Sequence, residues 1–133
     1  MLLVDDHEGM REGISAIVNA QPDMTIAGQA GDGEQAIERF RELRPDVSIL
    51  DWNLPRIQGE QVLASLRSEF PTARFVVITA LTEDERIRRA LRLGAQSFLH
   101  KDMLRRELLS AIRAVHEGRL YLPAEIANRL KEN

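Results

Sequence analysis

The fold is decided by one stretch of the chain, Asp46-Val47-Ser48-Ile49-Leu50-Asp51-Trp52-Asn53-Leu54-Pro55. Residues 47–50 form a run that is too short for a helix and rich in residues that favour strands, which predicts a buried β-strand. The run ends at Asp51, and a turn containing Pro55 follows. In an open parallel sheet the ligand crevice lies outside the carboxyl ends of the strands, so Asp51 is predicted to face that crevice.

Four further short apolar runs lie on either side of this strand, and segments with helical periodicity alternate with them. The predicted strands are residues 2–4, 25–30, 47–50, 75–78 and 97–99. Residues 75–78 are apolar on both faces, as a central parallel strand requires. The alternation predicts an α/β fold: a flavodoxin-like, doubly wound sheet of five parallel strands in the order 2-1-3-4-5, with helices on both faces.

Polar residues and glycine predict where the later helices begin and end. Thr82 with Glu85 is predicted to form a capping box at the start of the fourth helix, and Gly94 to end that helix. Asp102 is predicted to cap the fifth helix. Pro123 is predicted at the first position of a sixth, C-terminal helix, whose apolar stripe should pack on the domain, on a second chain or on an output domain.

Length and composition are those of one ordinary globular domain. The chain has 133 residues and a net charge of −3, which excludes a domain that binds nucleic acid through overall positive charge. It has no cysteine, which excludes disulfides and thiolate metal sites. No apolar run reaches the length of a membrane span, so we expect no membrane contact. The absence of cysteine fits a reducing compartment, and we expect a cytoplasmic protein. Because little precedes the first strand, we also expect a truncated or misassigned start.

The predicted topology collects polar side chains at one edge of the sheet. Strand one is followed by Asp5 and Asp6, strand three by Asp51, strand four by Thr79 and strand five by Lys101. In the order 2-1-3-4-5, strands one and three are neighbours, and their junction is the switch point where ligands bind. Three carboxylates, a hydroxyl and an ammonium are therefore predicted to converge there.

Three carboxylates in one place repel one another, so a cation should neutralise them. Oxygen ligands without cysteine favour a hard ion, Mg²⁺ or Mn²⁺. Mg²⁺ commonly completes its shell with water and phosphate oxygens, which indicates phosphoryl chemistry. Asp51 could then attack phosphorus to give an aspartyl phosphate, with Lys101 stabilising the phosphoryl oxygens.

Four segments now identify a family resemblance. They are Val4-Asp5-Asp6-His7, Leu50 to Pro55 with Gly59 beyond, Ile78-Thr79-Ala80, and Gly94 to Asp102. Together, and in this order, they resemble the response-regulator receiver domain of two-component signalling, over residues 1–121. The resemblance implies a domain that accepts a phosphoryl group from a sensor histidine kinase and catalyses only its own phosphorylation and dephosphorylation.

The resemblance also implies individual site residues. Asp51 would be the phosphoacceptor, and Lys101 would pair with the phosphoryl group. Asp6 would bind Mg²⁺ directly, with Asp5 beside it, and the backbone carbonyl of Asn53 would complete the protein ligands. No histidine is interpreted as a ligand.

Two further residues would form the switch. The resemblance implies that the Thr79 hydroxyl moves towards the phosphoryl group while the Phe98 ring reorients inward. Thr79 and Lys101 are expected to gain partners only in the phosphorylated state. The alternative for Phe98 is an ordinary core residue.

The Lys101-Asp102 pair and residues 104–130 resemble the corresponding segments of the NarL/FixJ subfamily, whose output is a LuxR-type DNA-binding domain. The expected division is a receiver domain over residues 1–121 and a linker helix over residues 122–133, with the output domain absent. We expect a homodimer on phosphorylation, and DNA binding only through the absent domain. Trp52 departs from the family, which usually has a smaller aliphatic residue there.

Two other functions compete with this interpretation. An atypical receiver could act as a constitutive protein-interaction module, although the acidic residues and Lys101 argue against it. A phosphatase with an aspartate nucleophile would need a second acid two residues later, where this chain has Asn53. The arginines of the fourth helix are interpreted as a solvated face with pairs such as Asp84–Arg88.

Overall fold

The computed structural model describes residues 1–80 and 83–131 and contains a sheet of five parallel strands. The strands are β1 (Leu2–Val4), β2 (Gly28–Ala30), β3 (Ser48–Asp51), β4 (Phe75–Thr79) and β5 (Ser97–His100). Their order is β2-β1-β3-β4-β5, and every pairing is parallel. The predicted flavodoxin-like fold is confirmed, and β1 and β3 are neighbours as expected.

Within the described residues, six α-helices connect and flank the strands. They are α1 (Glu8–Asn19), α2 (Gly33–Leu43), α3 (Gly59–Glu69), α4 (Asp84–Arg92), α5 (Leu104–His116) and α6 (Ala124–Lys131). In the described part of the chain, no helix is both long enough and apolar enough to cross a membrane.

The two faces of the sheet bury separate apolar clusters, because successive strand residues point to opposite sides. Ile49 of β3 packs in the cluster that includes residues of α1 and α5. Leu50, the next residue, packs in the cluster that includes residues of α2, α3 and α4. Strand β3 ends at Asp51, which places this carboxylate at the carboxyl edge of the sheet.

Some predicted boundaries were wrong. Strand β2 begins at Gly28 rather than residue 25, because its partner β1 pairs with it only from Leu2 onwards. Asp102 does not cap α5, because residues 101–103 form a turn of 3-10 helix whose N-cap is His100. Pro123 lies one residue before α6, and its carbonyl accepts the first helical hydrogen bonds. The predicted capping residue Thr82 lies outside the described residues.

Helix α6 packs on the domain itself, the first of its three predicted partners. Ile126 is 2% exposed and belongs to the cluster under α4. Two ion pairs lie beside this contact: the Arg129 guanidinium is 3.0 Å from Asp84, and Arg106 donates to Glu125 at 2.5 Å. The predicted partner of Asp84 was Arg88, so the salt bridge runs to another helix instead of along α4.

Candidate functional site

The carboxyl ends of β1 and β3 bring two carboxylates into the interior. Asp5 is fully buried and Asp51 is 1% exposed. The backbone N–H of Asn53 donates to Asp51 Oδ1 at 3.0 Å, which fixes the turn after β3. Gly59 allows α3 to begin against this turn, because a Cβ there would lie 2.4 Å from the Asp51 carbonyl oxygen. The Asn53 N–H therefore orients the Asp51 side chain, and Gly59 lets α3 begin close to the Asp51 backbone.

Lys101 bridges the two buried carboxylates. Its Nζ lies 3.0 Å from Asp5 Oδ2 and 3.1 Å from Asp51 Oδ2. The Lys101 side chain is only 12% exposed, so little solvent screens these charges. The expectation that Lys101 gains a partner only after phosphorylation was wrong, because its ammonium already has two carboxylate partners.

The geometry fits a hard divalent cation. Asp5, Asp6, His7 and Asp51 each offer a ligand atom, and these atoms all lie within 4.8 Å of one another. Three of the four are carboxylate oxygens, which Mg²⁺ and Mn²⁺ prefer. Asp5 Oδ2 is buried, and among the described residues its close polar contact is the Lys101 ammonium at 3.0 Å. A carboxylate oxygen has more than one lone pair, so this atom can also accept a cation.

Two neighbours of the site were not predicted. His7 Nδ1 lies 3.2 Å from Asp5 Oδ1 and 3.1 Å from Asp6 Oδ1. The sequence signal for this contact was that His7 directly follows Asp6. That His7 is not a metal ligand stays a prediction. Arg86 of α4 donates from Nη1 to Asn53 Oδ1 at 3.0 Å. No sequence signal links these two residues, which belong to separate elements.

Three further residues singled out by the sequence are buried in or beside the strands. Thr79, the last residue of β4, and Phe98 of β5 are both fully buried. The Phe98 ring therefore already lies inward, among the apolar residues under α4. Trp52 is 3% exposed and packs in the same cluster. The aromatic residue after Asp51 is thus part of the core.

The family model for the response regulator receiver domain matches residues 1–113. The chain belongs to this family. The match includes every residue of the acidic site, and the five-stranded topology is that of the structural neighbours. The receiver domain is a signalling domain, as the sequence motifs predicted.

Named relatives agree with this assignment. The chain is 38% identical over 116 residues to an uncharacterized transcriptional regulatory protein, YxjL, of Bacillus subtilis (strain 168), covering 87% of this chain and 53% of the relative. It is 37% identical over 122 residues to the nitrate/nitrite response regulator protein NarL of Escherichia coli (strain K12), covering 92% and 56%. The chain therefore spans about half the length of the curated relatives it matches.

A solved structure resembles the whole described chain, including α6. It is a two-component response regulator of the LuxR family from Aurantimonas sp. SI85-9A1, 29% identical, with a TM-score of 0.94. The superposition covers 98% of this chain and 94% of that one. The NarL/FixJ resemblance read from the motifs is consistent with these relatives.

Burial and charge oppose each other at the centre of the receiver site. Burial raises the pKa of the Asp51 carboxyl and the charge of Asp5 raises it further, against the Asn53 N–H and Lys101, which lower it. Burial acts to lower the pKa of the Lys101 ammonium, but its contacts with Asp5 and Asp51 leave that pKa raised. At neutral pH the ionised Asp51 carboxylate therefore lowers the free energy of unfolding.

We expect Asp51→Asn to stabilise the metal-free receiver by about 1 kcal/mol near neutral pH, because asparagine resembles the uncharged carboxyl. Asp51 has a raised pKa when folded, so its contribution to stability is present below its ordinary pKa of 3.8 and is lost as pH rises through the folded value. The gain from the substitution should therefore shrink as pH falls. Urea unfolding at several pH values measures it.

Asp46→Asn is the matched control for this measurement, because Asp46 is exposed and lies near the opposite end of β3. It should change the free energy of unfolding by less than about 0.5 kcal/mol. A gain for Asp51→Asn that is the same at all pH values, or a loss of stability near neutral pH, would contradict the assigned cost of the buried charge.

Proposed function

We propose that this receiver domain accepts a phosphoryl group on Asp51 from the phosphohistidine of a sensor histidine kinase. The supporting observation is the Lys101 ammonium, held between the buried carboxylates of Asp5 and Asp51 at the junction of β1 and β3. An Asp51 oxygen attacks phosphorus, the phosphorus–nitrogen bond of the donor breaks, and the imidazole nitrogen keeps the electron pair. The product is an aspartyl phosphate.

The residues around Asp51 would have two roles, binding a metal ion and stabilising the charge of the phosphoryl group. Asp5, Asp6 and Asp51, with the backbone carbonyl of Asn53, would hold Mg²⁺ or Mn²⁺, which neutralises the carboxylates and offsets charge on the phosphoryl oxygens. Lys101 stays close to Asp51 and donates to a phosphoryl oxygen, which offsets the charge that develops during transfer. The buried position of both groups strengthens that interaction.

Phosphorylation would be read out at a surface formed by α4, β5 and α5. The new group adds charge and acceptor oxygens at one point, for which Lys101 and the Thr79 hydroxyl are donors. Thr79 would move towards it, and Phe98 would respond as the second member of the switch. The response would be dimerisation and control of a DNA-binding output domain, with residues 1–121 as the receiver and residues 122–133 as the linker helix.

Phosphorylation by acetyl phosphate with Mg²⁺ tests the proposal directly. We expect the wild-type chain to take up one phosphoryl group, seen by intact-mass spectrometry, and Asp51→Ala to take up none. Asp46→Ala, two residues before the other end of β3, should behave as wild type. Equal uptake by Asp51→Ala would place the modification elsewhere. No uptake by the wild type would favour a constitutive interaction module.

A further inference from the structure

A cleft of about 470 Å³ opens to solvent beside the phosphorylation site. Trp52, Asn53 and Arg86 line one part of it, and Glu60 and Arg89 line another. Asp51 does not line this cleft, and its side chain is almost completely buried. The cleft therefore does not reach the Asp51 side chain, although Trp52 and Asn53, the next two residues in the chain, line it.

The hydrogen bond between Arg86 and Asn53 belongs to the wall of this cleft. A guanidinium can only donate, so the atom of the Asn53 amide that meets Arg86 Nη1 at 3.0 Å must be the oxygen. Arg86 therefore fixes which way the amide is turned. Asn53 is also held at its backbone, where its N–H donates to Asp51 Oδ1. Side chain and backbone together fix this residue between the cleft and Asp51.

Arg86 is itself anchored in the first turn of α4. Its backbone N–H donates to the Glu83 carbonyl at 3.0 Å, and its Nε lies 3.9 Å from a Glu83 carboxylate oxygen. The side chain is only one-third exposed. The position of α4 therefore determines where the guanidinium can hold Asn53.

We propose that Arg86 is a positioning residue that keeps the Asn53 side chain between the cleft and the phosphoryl group on Asp51. It thereby slows hydrolysis of the aspartyl phosphate. In that reaction a water oxygen attacks phosphorus and the bond to the Asp51 oxygen breaks. The Asp51 carboxylate is restored, and inorganic phosphate leaves carrying both hydrogens of the water. One of these protons then exchanges with solvent according to the pH. This inference rests on the proposed phosphorylation of Asp51.

The test follows the loss of phosphoryl group from purified protein after acetyl phosphate is removed. Arg86→Ala should decay about 3- to 10-fold faster than wild type, the effect of one hydrogen bond. Arg86→Lys, which can still donate to the amide, should decay more slowly than Arg86→Ala. Arg92→Ala removes another α4 arginine, whose partner is Glu85, and should decay as wild type.

A double substitution separates positioning from a general structural effect. Asn53→Ala keeps the proposed carbonyl ligand, and should decay faster than wild type; adding Arg86→Ala to it should change the rate no further. Titration of Mg²⁺ by Trp52 fluorescence and thermal unfolding are the second readouts. A merely structural role would weaken metal binding and stability together with the faster decay.

The outcomes distinguish this inference from the proposed function. Decay of Arg86→Ala at the wild-type rate or slower, or additive effects of the two substitutions, overturns the role of Arg86 while phosphorylation stands. A wild-type chain that takes up no phosphoryl group overturns both.

Discussion

Lys101→Ala should take up phosphoryl from acetyl phosphate about 10²- to 10³-fold more slowly than wild type at saturating Mg²⁺. The Lys101 ammonium lies 3.1 Å from Asp51 Oδ2, so it is within reach of the oxygens of a phosphoryl group that reacts at Asp51 and can stabilise the charge on them. Its removal also leaves Asp5 and Asp51 buried together without their shared counter-charge. Initial rates of uptake, measured by intact-mass spectrometry, give the ratio.

The chain contains a matched control, because its only other lysine is Lys131, an exposed residue of α6. Lys131→Ala should take up phosphoryl at the wild-type rate. Lys101→Arg should stay at least about tenfold slow, because a planar guanidinium does not fit a nearly buried position built for a compact ammonium. Uptake by Lys101→Ala within about threefold of wild type would show that the bridge stabilises the unphosphorylated site only.

The sequence predicted the ends of strands better than the contacts between them. Each of these apolar runs ended at a polar residue, so Asp5, Asp51 and Thr79 could be placed at one edge of the sheet from local pattern and topology alone, although all three are buried. Whether Lys101 would pair with both carboxylates could not be predicted, because Lys101 and Asp51 are 50 positions apart. That contact depends on the register between strands and on side-chain reach.

The same limit explains the individual errors. Asp102 looks like a cap by residue type, yet its backbone N–H donates to His100 Nδ1, so a neighbouring side chain supplies the cap. The arginines of α4 do form a solvated face, since the Arg89 side chain is 55% exposed, but their partners were not predicted. Arg86 donates to Asn53, and Arg89 donates to Glu60 of α3. Periodicity identifies which side of a helix is polar, but the partners of that side belong to other elements.

Phe98→Ala should lower the free energy of unfolding by about 3–5 kcal/mol, because the ring is fully buried and its loss leaves a cavity in the core. Urea unfolding measures this cost, but a large value alone does not separate a core residue from a switch. Phe98→Leu does, because leucine keeps most of the apolar contact and should cost only about 1–2 kcal/mol. The folded leucine variant can then be tested for its response to phosphorylation.

The two roles of Phe98 predict different behaviour of that leucine variant. If the ring belongs to the switch, Phe98→Leu should take up phosphoryl near the wild-type rate but lose most of the phosphorylation-dependent dimerisation, measured by analytical ultracentrifugation. Phe75→Leu is the matched control, since Phe75 is equally buried in the same cluster, on the neighbouring strand β4. It should lose similar stability and keep its response. Normal dimerisation by Phe98→Leu would leave the ring with a packing role alone, because a residue whose shape matters only to the core cannot bias two states differently.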